Sequence, residues 1–141
     1  MDMLKKLAAE FAVRQLLGRY AHLVDTRCMD ECEQLFAEDA MLDVLGETYR
    51  GRSEARRWLN SLDSYGPAGK HMVCNHVVTW HEGGPLSAIS DFMVFKDMDG
   101  RWASTSRGAY HDQFLFRNDE LLFQQRRIEV VFAKTVTPTG N

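Results

Sequence analysis

A chain of 141 residues with a formal net charge of -3 suits one domain built on one core. At 45% apolar and 26% charged residues it carries too much hydrophobic material for a disordered chain. The acidic balance argues against a nucleic-acid footprint, and Arg56-Arg57 and Arg126-Arg127 are short pairs, not a polybasic run.

No apolar stretch reaches the length of a membrane span, and the start MDMLKKLAAEF lacks the apolar region of a signal peptide. A cytoplasmic protein with no membrane partner is therefore expected. From Leu4 to Val24, apolar residues recur at helical spacing: Leu4, Leu7, Ala8 and Phe11, then Leu16, Leu17, Tyr20, Ala21 and Val24. Asp25 falls in line with Leu17 and Ala21, which sets a carboxylate on an apolar face, where it needs a partner or water. The N-cap of a following helix is the ordinary use of such a residue.

That second helix is predicted over Met29 to Ala37, with Cys32, Leu35 and Phe36 on one face. MLDVL (41–45) reads as a strand, and Gly46 to Gly51 as a hairpin turn and return. Ser53 is the predicted N-cap of a third helix with Ala55, Trp58, Leu59 and Leu62 on its buried stripe. DSYGPAGK (63–70) reads as a loop.

The period then changes to two. Four long strands are predicted, at 71–82, 85–96, 101–114 and 121–132, joined by turns short enough to require antiparallel neighbours. The tail, 135–141, is polar and is excluded from the single domain expected over 1–134. Helices followed by a run of long strands give an α+β fold. A sheet curled around the helices makes a cone with a cavity inside.

Alternation along the strands selects polar residues for that cavity. His71 shares a face with Val73, Asn75, Val77 and Thr79, leaving His76, Val78 and Trp80 for the outside. Asp91 shares one with Ile89, Met93 and Phe95, the bulky and expectedly inward side; Tyr110 shares one with Trp102, Asp112 and Phe114. A surface histidine, an edge aspartate and a core tyrosine are the ordinary uses of His71, Asp91 and Tyr20 taken singly. His71, His76 and His81 are five apart and alternate between faces, so they build no metal site. Cys28, Cys32 and Cys74 read as free thiols, the first two as small core residues.

The ordered set GRYAHLVDTRCMDECEQLFAEDA, YRGRSEARRWL, KHMVCNH and GAYHDQF, followed by a last strand, resembles the SnoaL-like branch of the NTF2-like superfamily. Within it the chain is similar to bile-acid and scytalone-type dehydratases and to a cofactor-free dehydrochlorinase. The resemblance implies an α+β cone with N-terminal helices packed into a strongly curved, mainly antiparallel sheet. It implies a cofactor-independent lyase in which Asp25 orients His71 as a general base, with Tyr20 and Asp91 as further catalytic groups. It also implies an arginine on the last strand, Arg126 or Arg127. Asn75, Tyr110 and Trp58 join that arginine as expected contacts to a hydrophobic cyclic, polyketide-like or steroid-like substrate. No metal and no cofactor are called for, and a homodimer or homotrimer is expected. An isomerase or cyclase using the same pair, or an assembly module like a dioxygenase small subunit, are the alternatives.

Overall fold

The structure is a computed structural model that describes residues 2–133. The predicted tail lies outside the described residues.

Helix α1 (Met3–Asp25) starts at Asp2, whose side chain accepts the Leu4 N–H at 3.2 Å. Its buried stripe runs from Ala9 through Val13, Leu16, Leu17 and Tyr20 to Val24. Leu4, Leu7 and Phe11, expected in that stripe, are instead 73%, 54% and 64% exposed. Periodicity marks the apolar side of a helix but not how far along it the neighbouring elements reach.

Helix α2 is one short turn, Met29–Glu33. Phe36 and Ala37, predicted to continue it, open strand β1 (Phe36–Val44). The cause is tertiary: β6 (Glu120–Ala133) pairs parallel to β1, Phe36 opposite Phe123, and the Phe123 N–H binds the Leu35 carbonyl at 2.9 Å. Leu45 and Gly46, both at positive φ, turn β1 into β2 (Glu47–Arg50) as a two-residue hairpin.

Helix α3 (Arg52–Ser61) is capped by Gly51 at φ 89°, not by Ser53. The Gly51 N–H is held by the Ala40 carbonyl at 2.7 Å, which fixes where the helix begins. A 3-10 turn (Leu62–Tyr65) follows.

Strands β3 (Lys70–Thr79), β4 (Leu86–Met98) and β5 (Arg101–Arg117) complete one sheet of order β2-β1-β6-β5-β4-β3. Every pair is antiparallel except β1 with β6. The register shifts at Cys74/Val77, Val94/Phe95, Arg107/Gly108 and Gln113/Phe114. Such bulges bend and twist strands, which is how the sheet curves about α1. The result is the expected α+β cone, with α1, α3 and the inner sheet face sharing one apolar cluster.

Each bulge also changes which residues face in, so simple alternation fails across it. In β3, Asn75 sits at φ 54° inside the irregularity. His71 and Val73 face inward before it; His76, Val78 and Trp80 face inward after it, and Asn75 and Val77 are exposed. In β4 the buried set is Leu86, Ala88, Ser90, Phe92 and Val94. Ile89, Asp91 and Met93 therefore lie on the outer face, opposite to the expected assignment. Both faces of β4 are apolar, so hydrophobicity could not choose between them. In β5, Tyr110, Asp112 and Phe114 are buried as expected, but Trp102, beyond the register shifts, is 65% exposed.

Candidate active site

A cavity of about 450 Å³ opens between α1, α3, the 3-10 turn and the inner sheet face. Val24, Val44, Trp58, Leu62, Phe92 and Ile128 form apolar walls, a composition and size usual for a small-molecule site.

Asp25 ends α1 beside this cavity. It caps nothing: the N-cap of α2 is Cys28. Its Oδ2 and Oδ1 accept the backbone N–H of His71 at 3.0 and 3.2 Å, and Oδ1 lies 2.5 Å from His71 Nδ1. Lys70 Nζ is 3.7 Å from Oδ2. Burial pushes the Asp25 carboxyl up, but the His71 ring and backbone hydrogen bonds and the charges of His71 and Lys70 prevail and hold it below its ordinary value. An ionised carboxylate only accepts, so Nδ1 carries the shared proton. Nε2 is then the nitrogen left for the cavity that His71 lines.

Tyr20 and Tyr110 line the same cavity and meet edge to face, ring centroids 6.1 Å apart. Burial raises both phenols well above their ordinary value. Behind the rings is a group that alternation alone could not place. Arg126 is fully buried, with Cζ 3.7 Å from the Tyr110 ring centroid and 4.3 Å from that of Tyr20. Its Nε and Nη2 donate to the two oxygens of Asp112 at 2.8 and 3.0 Å, while its buried Nη1 has no partner among the described residues. Asp112 and Arg126 are register partners on β5 and β6. Arg126 is thus the inward arginine, behind the tyrosines and not on the cavity wall. Arg127 points outward, half exposed, toward Glu129.

Asp91 and Asn75, like Arg126 and Arg127, are absent from the cavity. Asp91 is exposed on the outer face, where it accepts a hydrogen bond from Asn75 at 2.8 Å. The two residues pair with each other on the far side of the sheet from His71. Inside, the pairing is instead His76 Nδ1 with the buried Ser90 hydroxyl at 3.0 Å, beneath α1. Trp58 lines the cavity. Cys32 is a core thiol that burial pushes up to about 12, Cys28 is half-buried, and Cys74 is exposed.

Sequence reasoning passed over Arg27, Lys96, Thr105 and Ser106, all on the cavity wall. Arg27 follows α1 at φ 58°, and the other three stand near the β4-β5 irregularity. No periodic pattern runs through such positions. A residue at the helix C-terminus where glycine is the usual choice was the one readable signal.

A family model described as a SnoaL-like domain matches residues 5–127. No curated protein matches the sequence. Among solved structures, a candidate scytalone dehydratase from Novosphingobium aromaticivorans superposes with a TM-score of 0.79 at 15% identity, over 96% of each chain. The beta subunit of a candidate aromatic-ring-hydroxylating dioxygenase from the same organism gives 0.78 at 18% identity, over 94% of this chain and 95% of that one. An NTF2-like protein with a cystatin-like fold, also from that organism, gives 0.73 at 24% identity, over 93% and 92%. At these identities the likeness establishes the fold alone.

Proposed function

The chain belongs to the SnoaL-like domain family, and from that premise we propose that it is a cofactor-independent lyase of the dehydratase type, acting on a hydrophobic cyclic, polyketide-like or steroid-like molecule. The observation that carries this reading is the 2.5 Å contact between Asp25 and His71 on the wall of an apolar cavity. The likeness to a candidate scytalone dehydratase agrees with it.

Asp25 holds the imidazole with Nδ1 protonated, so Nε2 takes a proton from a substrate carbon next to a carbonyl. The electron pair of that C–H bond forms the new C=C bond as the C–O bond one carbon further breaks. The imidazolium, stabilised by Asp25, returns its proton to the departing hydroxyl, and water leaves. Tyr20 and Tyr110 remain protonated, because their phenols are pushed up, and donate hydrogen bonds to the carbonyl oxygen as it gains charge. Arg126 supports them from behind. Asp91 and Asn75 have no part in this scheme. An isomerase uses the same pair and returns the proton to another carbon.

The test is a panel of cyclic β-hydroxy ketones assayed for enone absorbance and loss of water by mass. His71→Asn and Asp25→Asn should each lower kcat/KM by about 10²–10⁴-fold with native circular dichroism. Full activity in either variant sinks the mechanism.

A second reading, an assembling subunit or a homo-oligomer, is favoured by the outer sheet face. Met72, Val77, Ile89 and Met93 are 51%, 59%, 42% and 38% exposed there.

A further inference from the structure

The proposed chemistry uses His71 and the tyrosines; the same cavity carries two cations that it leaves unused. Arg27 and Lys96 both line it. Arg27 Nε meets Asp63 at 3.1 Å, but Asp63 is 77% exposed, and Arg27 Nη1 donates to the Val24 carbonyl at 3.2 Å. Lys96 Nζ donates to a neutral acceptor, the Tyr65 carbonyl, at 2.7 Å. An ammonium has three donors and a guanidinium five, so each keeps N–H groups beyond these bonds. Among the described residues the one carboxylate on the wall beside them is Asp97, which is tied to its own turn by the Gly100 N–H at 2.7 Å.

Burial, and then the charge of Arg27, lower the Lys96 ammonium below its ordinary value, as two cations facing one cavity would. Arg27 also adopts a left-handed backbone, φ 58°, at a helix C-terminus where glycine fits without strain. A bulky cation in that position is a local cost that the helix end itself does not need.

We propose that the substrate carries a carboxylate and that Arg27 and Lys96 bind it, with the apolar body lying between these cations and His71. The inference rests on the reading of this cavity as the substrate site, and it narrows the substrate class from hydrophobic ketone to hydrophobic keto acid. Two charge-assisted contacts select for an anion over its neutral isostere.

Binding, read without turnover, separates this from the dehydratase reading. 2-Naphthoate and size-matched 2-naphthamide are titrated calorimetrically at about pH 8, above the ordinary histidine range. The acid should bind about tenfold more tightly than the amide, and rising salt should shrink the difference. Lys96→Gln should reduce the preference, and so should Arg27→Gly, which relieves the backbone and so keeps the fold; the double variant should bring the ratio near one. His71→Asn should leave the preference intact while lowering kcat/KM by about 10²–10⁴-fold. Equal affinity for the two compounds, or no binding of the acid at millimolar concentration, overturns the proposal. So does a preference that survives the double variant, or one lost in His71→Asn instead.

Discussion

Asp25 takes both the backbone and the ring N–H of His71, so one carboxylate fixes the position of β3 and the orientation of the imidazole together. Its folded-state value lies below the ordinary 3.8. The stabilisation is therefore complete above about pH 3.8 and is lost as pH falls through the lower folded value. Asp25→Asn should remove that acid-dependent slope from urea unfolding curves while leaving carboxylates elsewhere to titrate; an unchanged slope would show that the pairing contributes nothing. Arg126 and Asp112 pose the opposite problem, a pair wholly out of water with Nη1 lacking a hydrogen-bond partner among the described residues. Burial pushes Asp112 up, and the guanidinium draws it back. Removing one charge strands the other, so Asp112→Asn should cost about 3–5 kcal/mol of stability by chemical denaturation. The double change Asp112→Leu with Arg126→Met should recover part of that loss.

At the level of elements, the bulges do most to build the site. The irregularity in β3 turns Asn75 outward and His76 inward, and those in β5 turn Trp102 out while leaving Tyr110 in. Gly108 sits at one of them because the strands approach closely there. An added Cβ would run into the Glu129 carbonyl oxygen and lie 2.9 Å from the Phe92 ring, which stacks on Tyr110 with centroids 4.5 Å apart. Backbone cannot yield as a flexible side chain can. Gly108→Ala should destabilise the protein by about 1–3 kcal/mol and disturb the Tyr110 wall of the cavity. A melting temperature equal to that of the wild type would contradict this packing argument.

For the whole molecule, the cone leaves a cavity at its mouth and an apolar surface on its outside. Met72 and Met93 are cross-strand partners on that surface, next to Ile89 and Val77. Under the oligomer reading, the wild type should sediment above its monomer mass of 16.2 kDa. Met72→Glu together with Met93→Glu should shift it toward the monomer, since paired buried charges of one sign are costly. A wild type that sediments as a monomer across micromolar concentrations would remove that reading. No helix among the described residues is long and apolar enough to cross a membrane.

By itself the sequence determined what local chemistry and spacing can determine. The 3.6-residue period revealed α1, the change to a period of two announced the long strands, and the short turns between them required antiparallel neighbours. Asp25 stood out because a carboxylate on an apolar helix face needs a partner, and its alignment with Leu17 and Ala21 was visible before any fold was known. Only the tertiary structure decided which face of each strand looks inward. That choice reverses with a single inserted residue, and both faces of β4 are apolar, so Asp91 and Asn75 were expected inside and lie outside. It also decided that Phe36 extends in a strand, because β6 supplies the hydrogen bonds, and that Arg126 rather than Arg127 meets Asp112. These depend on register between segments far apart in the chain, which local pattern does not encode. Arg27 and Lys96 reach one cavity from a helix end and from a strand end near a register shift, where neither period applies.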